Sequence, residues 1–135
     1  MTSPHEHRPL IGITMGDPTG IGPEIVASCL GDQNLRRRAR LIVYGAGASL
    51  TLAAEQIGVR ADWFRACVDE HADKPLPDTP IVLDEPQHGD LLDLPRGPHK
   101  RTGIASKHWV ELAIRDATRA QDDPRKLDAI VTAPI

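Results

Sequence analysis

Residues 9–30 read PLIGITMGDPTGIGPEIVASCL and carry the strongest indication of the chain's architecture. The apolar run 9–14 is typical of a strand buried inside a parallel sheet. The glycine-rich loop behind it leads to Pro23, a residue favoured at the first position of a helix because its missing N–H needs no partner there. A helix is predicted over 24–30, with Gly31 as its C-cap. The stretch therefore predicts the order strand, glycine loop, helix.

The same order recurs along the rest of the chain. A second apolar strand is predicted over 40–44, followed by Gly45-Ala46-Gly47 and a helix over 48–57 that Gly58 closes. The remaining predicted elements are strands over 61–66, 80–84 and 127–132, a long loop over 85–101 and a helix over 104–121. The apolar face of that last helix consists of Ala105, Trp109, Leu112, Ala113 and Ala117. This alternation predicts an α/β fold with a parallel or mixed sheet flanked by helices.

The composition argues against several classes of protein. A chain of 135 residues forms at most one small domain, predicted over 9–135 behind a flexible tail over 1–8. The net charge of −3 and the aromatic content of 3% argue against a nucleic-acid partner. No apolar run approaches the roughly 20 residues that span a bilayer, and the N-terminus lacks the apolar core of a signal peptide, so we expect no membrane partner and a cytoplasmic protein. Cys29 and Cys67 match no metal or disulfide pattern and are predicted to be buried thiols.

The loop 16–22 is the main candidate for a binding site. It presents backbone N–H groups at a helix N-terminus, which suit a phosphate, a carboxylate or the edge of a nucleotide. The loop is not a dinucleotide-binding fingerprint, because Ile25 stands where the third glycine belongs, and no Gly-Lys-Ser/Thr of a P-loop follows. On the residues alone, a ligand site and a structural tight turn remain equally open.

The other chemically interesting residues favour structural interpretations. The second glycine turn also fails the fingerprint at Leu50, and Asp62 is a weak match for a ribose-binding acid, so helix-packing glycines are the favoured interpretation. The carboxylates Asp84, Glu85 and Asp90 fall in a stretch rich in proline and glycine and are predicted to lie in an exposed loop. The histidines are predicted to be scattered surface residues rather than metal ligands; they are His5, His7, His71, His88, His99 and His108.

Two motifs resemble one enzyme family. The first motif, residues 11–24 (IGITMGDPTGIGPE), resembles the N-terminus of 4-hydroxythreonine-4-phosphate dehydrogenases and of their relatives that act on threonate or erythronate 4-phosphate. The second motif, residues 129–135 (AIVTAPI), resembles a later signature of the same family. Between them, residues 103–106 stand where the family has Gly-Lys/Gln-x-Ser ahead of a long helix. The resemblance covers the chain from about residue 10 onward.

The resemblance implies a larger enzyme than this chain. Family members have two domains of the isocitrate/isopropylmalate dehydrogenase-like fold and form homodimers. They oxidise and decarboxylate a 4-phosphorylated hydroxy acid, with NAD (or NADP) as hydride acceptor and a divalent metal such as Zn, Mg or Co polarising the substrate hydroxyl. With 4-hydroxythreonine 4-phosphate as substrate, this reaction belongs to pyridoxal phosphate biosynthesis. Ile104 replaces the family's Lys or Gln, so the choice among the three substrates stays open.

The family's metal histidines and its phosphate-binding basic residues lie beyond the position that matches Ile135. No catalytic residue and no metal ligand is therefore predicted in this chain. The chain stops directly after a strand of the buried type, so we expect a larger protein that continues past Ile135 into a second domain. The 135-residue chain alone is expected to be inactive.

Within this chain we expect cofactor contacts in the first glycine loop. The candidate cofactor-binding residues are Gly16, Asp17, Thr19 and Gly20, with Asp17 and Thr19 as the polar contributors. Ser106 and Thr132 are weaker candidates for the wall of the cleft.

Two alternatives from other classes stay open. One is a non-catalytic α/β module that binds a nucleotide or phosphate at the loop 16–22. The other is a chain that only associates with itself or a partner through an exposed apolar sheet edge. Ligand binding by the short chain would favour the first, and aggregation without ligand binding would favour the second.

Overall fold

A computed structural model describes residues 7–68, 76–88 and 91–135. Within these ranges the strands are Leu10–Thr14 (β1), Arg40–Gly45 (β2), Phe64–Cys67 (β3), Ile81–Asp84 (β4) and Ala129–Thr132 (β5). The α-helices are Gly22–Leu30 (α1), Gln33–Arg38 (α2), Gly47–Ile57 (α3) and Lys100–Ala117 (α4), and a short 3-10 helix spans Pro86–His88. No helix in the described ranges has the length and apolar character needed to cross a bilayer.

The five strands form one parallel sheet in the order β3-β4-β2-β1-β5. Helix α1 covers one face, beside Ile11 and Ile13 of β1. Helix α4 covers the other face, which Gly12 and Tyr44 occupy. The predicted α/β class with helices on both faces is confirmed, and every strand pair is parallel among the described residues.

The strand order places a topological switch point between β1 and β5. From β1 the chain moves outward to β2, and it returns through α4 to β5 on the opposite side of β1. In open α/β sheets, ligands bind at such a point, outside the carboxyl ends of the strands. The motifs at residues 11–24 and 129–135 both reach the carboxyl ends of β1 and β5, where this switch point lies.

Several predicted boundaries differ from the structure. Helix α4 covers 100–117 rather than 104–121. Strand β3 covers 64–67 rather than 61–66, because a hydrogen bond from Asp62 N to the Arg60 carbonyl closes a turn just before it. Helix α2 was not predicted, because QNLRRR is short and has no apolar periodicity. Its N-cap is Asp32, whose side chain accepts from the backbone N–H groups of the first turn.

Both predicted helix-closing glycines are C-caps. Gly58 has the left-handed φ of +75° that favours glycine, whereas Gly31 stays right-handed because α2 follows at once. The prediction that both cysteines are buried is wrong. Cys29 is partly exposed beside an open groove and Cys67 is partly exposed at the end of the edge strand β3.

The predicted tail 1–8 falls mostly outside the described residues. Arg8, the last residue of that tail, is anchored to the domain by two hydrogen bonds. The Arg8 guanidinium donates to Asp78 at 2.7 Å and to the Arg36 carbonyl at 2.9 Å. The last strand differs from its prediction as well. Its apolar sequence was interpreted as buried, but β5 is the edge of the described sheet, and three of its four residues are exposed.

A buried carboxylate joins three elements on the α4 side of the sheet. The Asp116 side chain is fully buried, and its oxygens accept hydrogen bonds from Tyr44 Oη at 2.6 Å, Arg119 Nε at 2.8 Å and Arg125 Nη2 at 3.3 Å. Arg115 Nε approaches it to 3.2 Å. These donors lie on β2, on α4 and in the segment that leads to β5, so one ionised group connects all three.

The contacts set the ionisation of both partners. Burial by itself raises the pKa of Asp116, but the hydrogen bonds from Tyr44 and Arg119 and the nearby arginine charges outweigh it, so the pKa of this carboxyl lies below its ordinary value. Burial and the charge of Asp116 raise the pKa of Tyr44, so its hydroxyl stays protonated and donates. A buried carboxylate is stable only while all of its hydrogen-bond donors are in place.

We predict that Asp116→Ala lowers the free energy of unfolding by about 3–5 kcal/mol, because it leaves Arg125 buried and without this carboxylate. Urea denaturation measures the loss. The control is Glu111→Ala on the same helix, whose exposed ion pair with Lys107 contributes less than about 1 kcal/mol. Equal stabilities of the two variants would contradict the prediction.

The stability should also depend on pH through Asp116. Because its folded pKa is lowered, its contribution is complete above the unfolded pKa of about 3.9 and is lost as pH falls through the folded value. We therefore expect the free energy of unfolding to drop below about pH 4. Asp116→Asn should flatten this part of the profile, and a profile as steep as that of the unchanged chain would argue against this role.

Candidate functional site

The two family-like motifs meet at the carboxyl ends of β1 and β5. Gly16 has a φ of +73°, and a Cβ at this position would lie 2.2 Å from the Pro134 carbonyl oxygen. Asp17 N donates to that same oxygen at 3.1 Å, and Ala133 N donates to the Thr14 carbonyl at 2.9 Å. We call residues 14–20 and 132–134 together the switch-point loops. They form one structure although more than a hundred residues separate them in the chain.

The polar candidates of the first loop bind one another. Asp17 Oδ1 accepts from Thr19 N at 2.9 Å and lies 2.6 Å from Thr19 Oγ1, which is also 2.8 Å from the Gly97 carbonyl. Gly20 N donates to the Asp17 carbonyl at 3.0 Å. Among the described residues, Asp17 Oδ2 accepts no hydrogen bond, and Asp17 is only partly buried. The loop is thus a tight turn, as one of the two open interpretations predicted, and it leaves one carboxylate oxygen available.

Two glycines of this loop are required by close backbone approach. At Gly22, the first residue of α1, a Cβ would lie 2.1 Å from the Met15 carbonyl, and Gly16 is blocked by Pro134 as described. Gly20 differs, because the nearest atom to its Cβ would be 3.5 Å away. The predicted set of loop residues therefore divides into a structural glycine, Gly16, and a position with room, Gly20.

Of the two predicted wall residues, Ser106 touches the loop and Thr132 borders it. Ser106 is buried, with Oγ 2.9 Å from the Gly16 carbonyl and 2.8 Å from the Thr102 carbonyl, so it joins α4 to the loop. Thr132 is exposed and pairs in register with Thr14. Thr14 was not predicted as a site residue, yet its buried hydroxyl has no hydrogen-bond partner in the described structure. Its position as the last residue of β1 was the available signal.

A pocket of about 130 Å³ lies beside the first loop. Thr19 and Gly20 line it from one side, and Leu91, Leu92, Leu94 and Arg96 line it from another. Arg96 lies at this pocket and forms an ion pair with Glu24 at 2.7 Å. Arg96 was missed in the sequence, because nothing local distinguishes it from other surface arginines. It brings a cation, the group that suits a phosphate, next to the glycine loop.

In the second glycine turn, the first backbone N–H of α3 is bound by a carboxylate of the protein itself. Asp84 Oδ1 accepts from Gly47 N at 2.5 Å, and Arg65 Nε donates to Asp84 Oδ2 at 3.1 Å. This carboxylate stands at the N-terminus of α3, where an anionic ligand would otherwise bind. The interpretation as packing glycines agrees with this arrangement, whereas the prediction of Asp84 in an exposed loop is wrong because it ends β4. Asp62 instead pairs with Arg36 of α2 at 2.7 Å.

Two of the histidines are in contact rather than scattered. His88 Nε2 lies 3.0 Å from His108 Nδ1, and the His88 ring meets the Trp109 ring edge-on. Burial, followed by the nearness of His108, lowers the pKa of His88. His5, His71 and Asp90 lie outside the described residues. Within the part of the chain that the structure describes, no group of three or more His, Cys, Asp or Glu side chains could hold a metal.

Comparison with known proteins gives a consistent set of relatives. The chain is 49% identical over 133 residues to a D-threonate 4-phosphate dehydrogenase of Bordetella bronchiseptica, covering 94% of this chain and 35% of that protein. It is 42% identical over 141 residues to the D-threonate 4-phosphate dehydrogenase of Cupriavidus necator, covering 96% of this chain and 37% of that one. No family model matches the chain.

A solved structure supports the same fold. A 4-hydroxythreonine-4-phosphate dehydrogenase from Burkholderia phymatum superposes with a TM-score of 0.75 at 27% identity and covers 96% of this chain. The chain spans about 37% of the length of that protein, so it corresponds to a portion of these enzymes. The resemblance found in the two motifs is confirmed, and it extends over nearly the whole chain.

We predict that Gly16→Ala lowers the free energy of unfolding by at least about 2 kcal/mol, because alanine disfavours the left-handed φ and its Cβ meets the Pro134 carbonyl. Gly20→Ala is the matched control in the same loop and should change the free energy by less than about 1 kcal/mol. Urea denaturation of both variants measures the difference. Similar values for the two would contradict the close approach of the two loops.

Proposed function

We propose that this chain is the N-terminal portion of a dehydrogenase of 4-phosphorylated hydroxy acids, with NAD or NADP as hydride acceptor and a divalent metal as cofactor. The observation that carries the proposal is the 49% identity to a D-threonate 4-phosphate dehydrogenase over 94% of the chain. The meeting of both motifs at the sheet's switch point supports it, because ligands of open α/β sheets bind there. The resemblance further supports decarboxylation of the oxidised product and a cytoplasmic homodimer.

D-Threonate 4-phosphate is the substrate we propose. The relatives with 49% and 42% identity over nearly the whole chain are both named for it. A relative from Novosphingobium aromaticivorans that is named for 4-hydroxythreonine 4-phosphate is 31% identical over 113 residues. Erythronate 4-phosphate differs from threonate 4-phosphate in configuration at one carbon, and it is the natural competitor in an assay.

The anion and the cation beside the loop suit different groups of a ligand. The free oxygen of Asp17 suits a hydroxyl donor, such as a ribose or substrate hydroxyl, and opposes a phosphate. Arg96 is the cation beside the loop and suits a phosphate once it leaves Glu24. The loop glycines let a ligand approach the backbone where α1 begins. The buried bond from Ser106 to the Gly16 carbonyl holds the loop against α4.

The resemblance implies that the ligands of the proposed metal lie in the portion of the enzyme that this chain does not match. Among the described residues, no group of three or more His, Cys, Asp or Glu side chains could hold an ion. When bound, such an ion lowers the pKa of the substrate hydroxyl and stabilises the oxyanion that forms during oxidation.

The test is a dehydrogenase assay that follows NADH or NADPH formation. The protein carrying this chain is supplied with D-threonate, erythronate or 4-hydroxythreonine 4-phosphate, with and without a chelator. We expect the highest kcat/KM with D-threonate 4-phosphate, loss of activity with chelator, and no activity from the 135-residue chain alone. No turnover of any of the three substrates would overturn the proposal. Turnover by the 135-residue chain alone would contradict the expectation that this portion is inactive without the rest of the enzyme.

We predict that Asp17→Asn raises the KM for NAD or for the substrate at least roughly 10-fold, because a hydrogen bond to a charged group contributes about 1.5–3 kcal/mol. The asparagine Oδ1 still accepts from Thr19 N, so the free energy of unfolding should change little. The control is Glu111→Gln on the exposed face of α4. Unchanged KM values for both ligands would show that Asp17 serves only the turn.

A further inference from the structure

A second pocket, of about 480 Å³, lies outside the carboxyl ends of β2, β3 and β4. Parts of β3, β4, α3 and α4 form its wall. Its volume lies in the range of about 300–1,000 Å³ that is usual for small-molecule sites. We call it the β4 pocket, and its lining includes Arg65, Asp84, Glu85, His88, Leu92 and Trp109.

The β4 pocket adjoins the smaller pocket beside the first glycine loop. Ser49, Leu91 and Leu92 line both pockets. A dinucleotide consists of two ring systems joined by a pyrophosphate, and a glycine loop at the start of a helix suits the pyrophosphate. A dinucleotide held at the loop 16–22 can therefore place one of its rings in the β4 pocket.

Among the described residues that line it, the β4 pocket has one negative charge without a partner. The Asp84 carboxylate is offset, because it accepts from Gly47 N at the start of α3 and from Arg65 Nε. Glu85 forms no ion pair in the described structure, and its carboxylate has only a long contact of 3.5 Å with a backbone N–H of its own segment. Burial lowers the pKa of His88, so this residue is neutral at neutral pH and adds no positive charge. The pocket therefore attracts a cation and repels a phosphate.

The remaining walls suit a flat ring that carries a polar group. Leu91 and Leu92 provide apolar surface, and the His88 ring meets the Trp109 ring edge-on. The Trp109 indole N–H is buried and has no acceptor in the described structure. Buried N–H groups without a partner are rare in folded proteins. A carbonyl oxygen on a bound ring would supply the missing acceptor.

The proposed cofactor contains a ring with these properties. The nicotinamide ring of oxidised NAD or NADP carries one positive charge and a carboxamide, and it loses the charge when it accepts a hydride. The adenine ring at the other end of the molecule is neutral. The negative charge of the β4 pocket therefore favours the nicotinamide ring over the adenine ring.

We propose that the β4 pocket binds the nicotinamide ring and that the Glu85 carboxylate selects its oxidised, cationic form over the reduced, neutral form. The proposal rests on the proposed function, because that function supplies the cofactor. Selection of this kind favours binding of the oxidised cofactor and release of the reduced one.

The test measures the affinity of the protein carrying this chain for the oxidised and the reduced dinucleotide by calorimetric titration. We expect Glu85→Gln to weaken binding of the oxidised form at least roughly 5-fold and that of the reduced form less than about 2-fold, because only the oxidised ring is charged. Glu85→Asp keeps the charge and should keep most of the preference. An equal change in the two affinities with Glu85→Gln would overturn the proposal.

The matched control is Asp93→Asn. Asp93 is an exposed carboxylate of the same segment that does not line the β4 pocket. This variant makes the same change in net charge as Glu85→Gln and should leave both affinities unchanged. A loss of preference as large as that of Glu85→Gln would assign the effect to the overall charge and contradict the role of Glu85.

The two halves of the cofactor identify the ring that the pocket holds. Oxidised nicotinamide mononucleotide should shift the indole N–H signal of Trp109 in a nitrogen-15 NMR spectrum, whereas AMP should not. The indole signal of Trp63, which does not line the β4 pocket, is the internal control. Trp109→Phe and Trp63→Phe assign the two signals. A shift of the Trp109 signal with AMP alone would place the adenine ring in the pocket and overturn the proposal.

Two results separate the failure of this proposal from the failure of the proposed function. A preference for the oxidised dinucleotide that depends on Glu85, in a protein that turns over no phosphorylated hydroxy acid, would support the β4 pocket and contradict the proposed function. Turnover of D-threonate 4-phosphate with a preference that does not depend on Glu85 would support the proposed function and overturn the assignment of the pocket.

Discussion

The buried carboxylate of Asp116 ties together the strand β2, the helix α4 and the segment that returns to β5. An unpaired charge in this position would cost several kcal/mol, so the fold must supply donors from every element around it. Tyr44 supplies one from β2, Arg119 one from the turn after α4, and Arg125 one from the segment that leads to β5. The chain that returns from α4 is thereby directed to the free side of β1.

Placing β5 beside β1 has a direct consequence for the candidate site. The two loops that leave these strands meet so closely that only glycine fits at position 16. Ser106 then holds the loop from α4, and Asp17 and Thr19 satisfy each other inside it. The result is a rigid loop in which few polar atoms remain for a ligand. A site on such a loop is preorganised in the unbound protein, and preorganisation favours specific binding.

The same arrangement places helices on both faces of the sheet and leaves β3 and β5 as its edge strands among the described residues. The helices satisfy the faces, whereas β5 and the groove beside α1 keep their apolar residues exposed. The glycine loop and Arg96 lie together beside one pocket, and the chain spans about 37% of the length of the relatives it matches.

Local sequence was enough to predict the strand, loop and helix of residues 9–30, their repetition from residue 40, and the C-caps Gly31 and Gly58. Local sequence is enough for these elements because apolar runs, glycines and proline act on the backbone within a few residues. The folded structure was needed to find the strand order, the exposed edge at β5, the contact between His88 and His108, and the carboxylate of Asp84 at α3. The bonds that decide these features join residues far apart, such as Tyr44 to Asp116 across 72 positions and Ser106 to Gly16 across 90. Local periodicity carries no information about such pairs, because their energy exists only after the chain has folded.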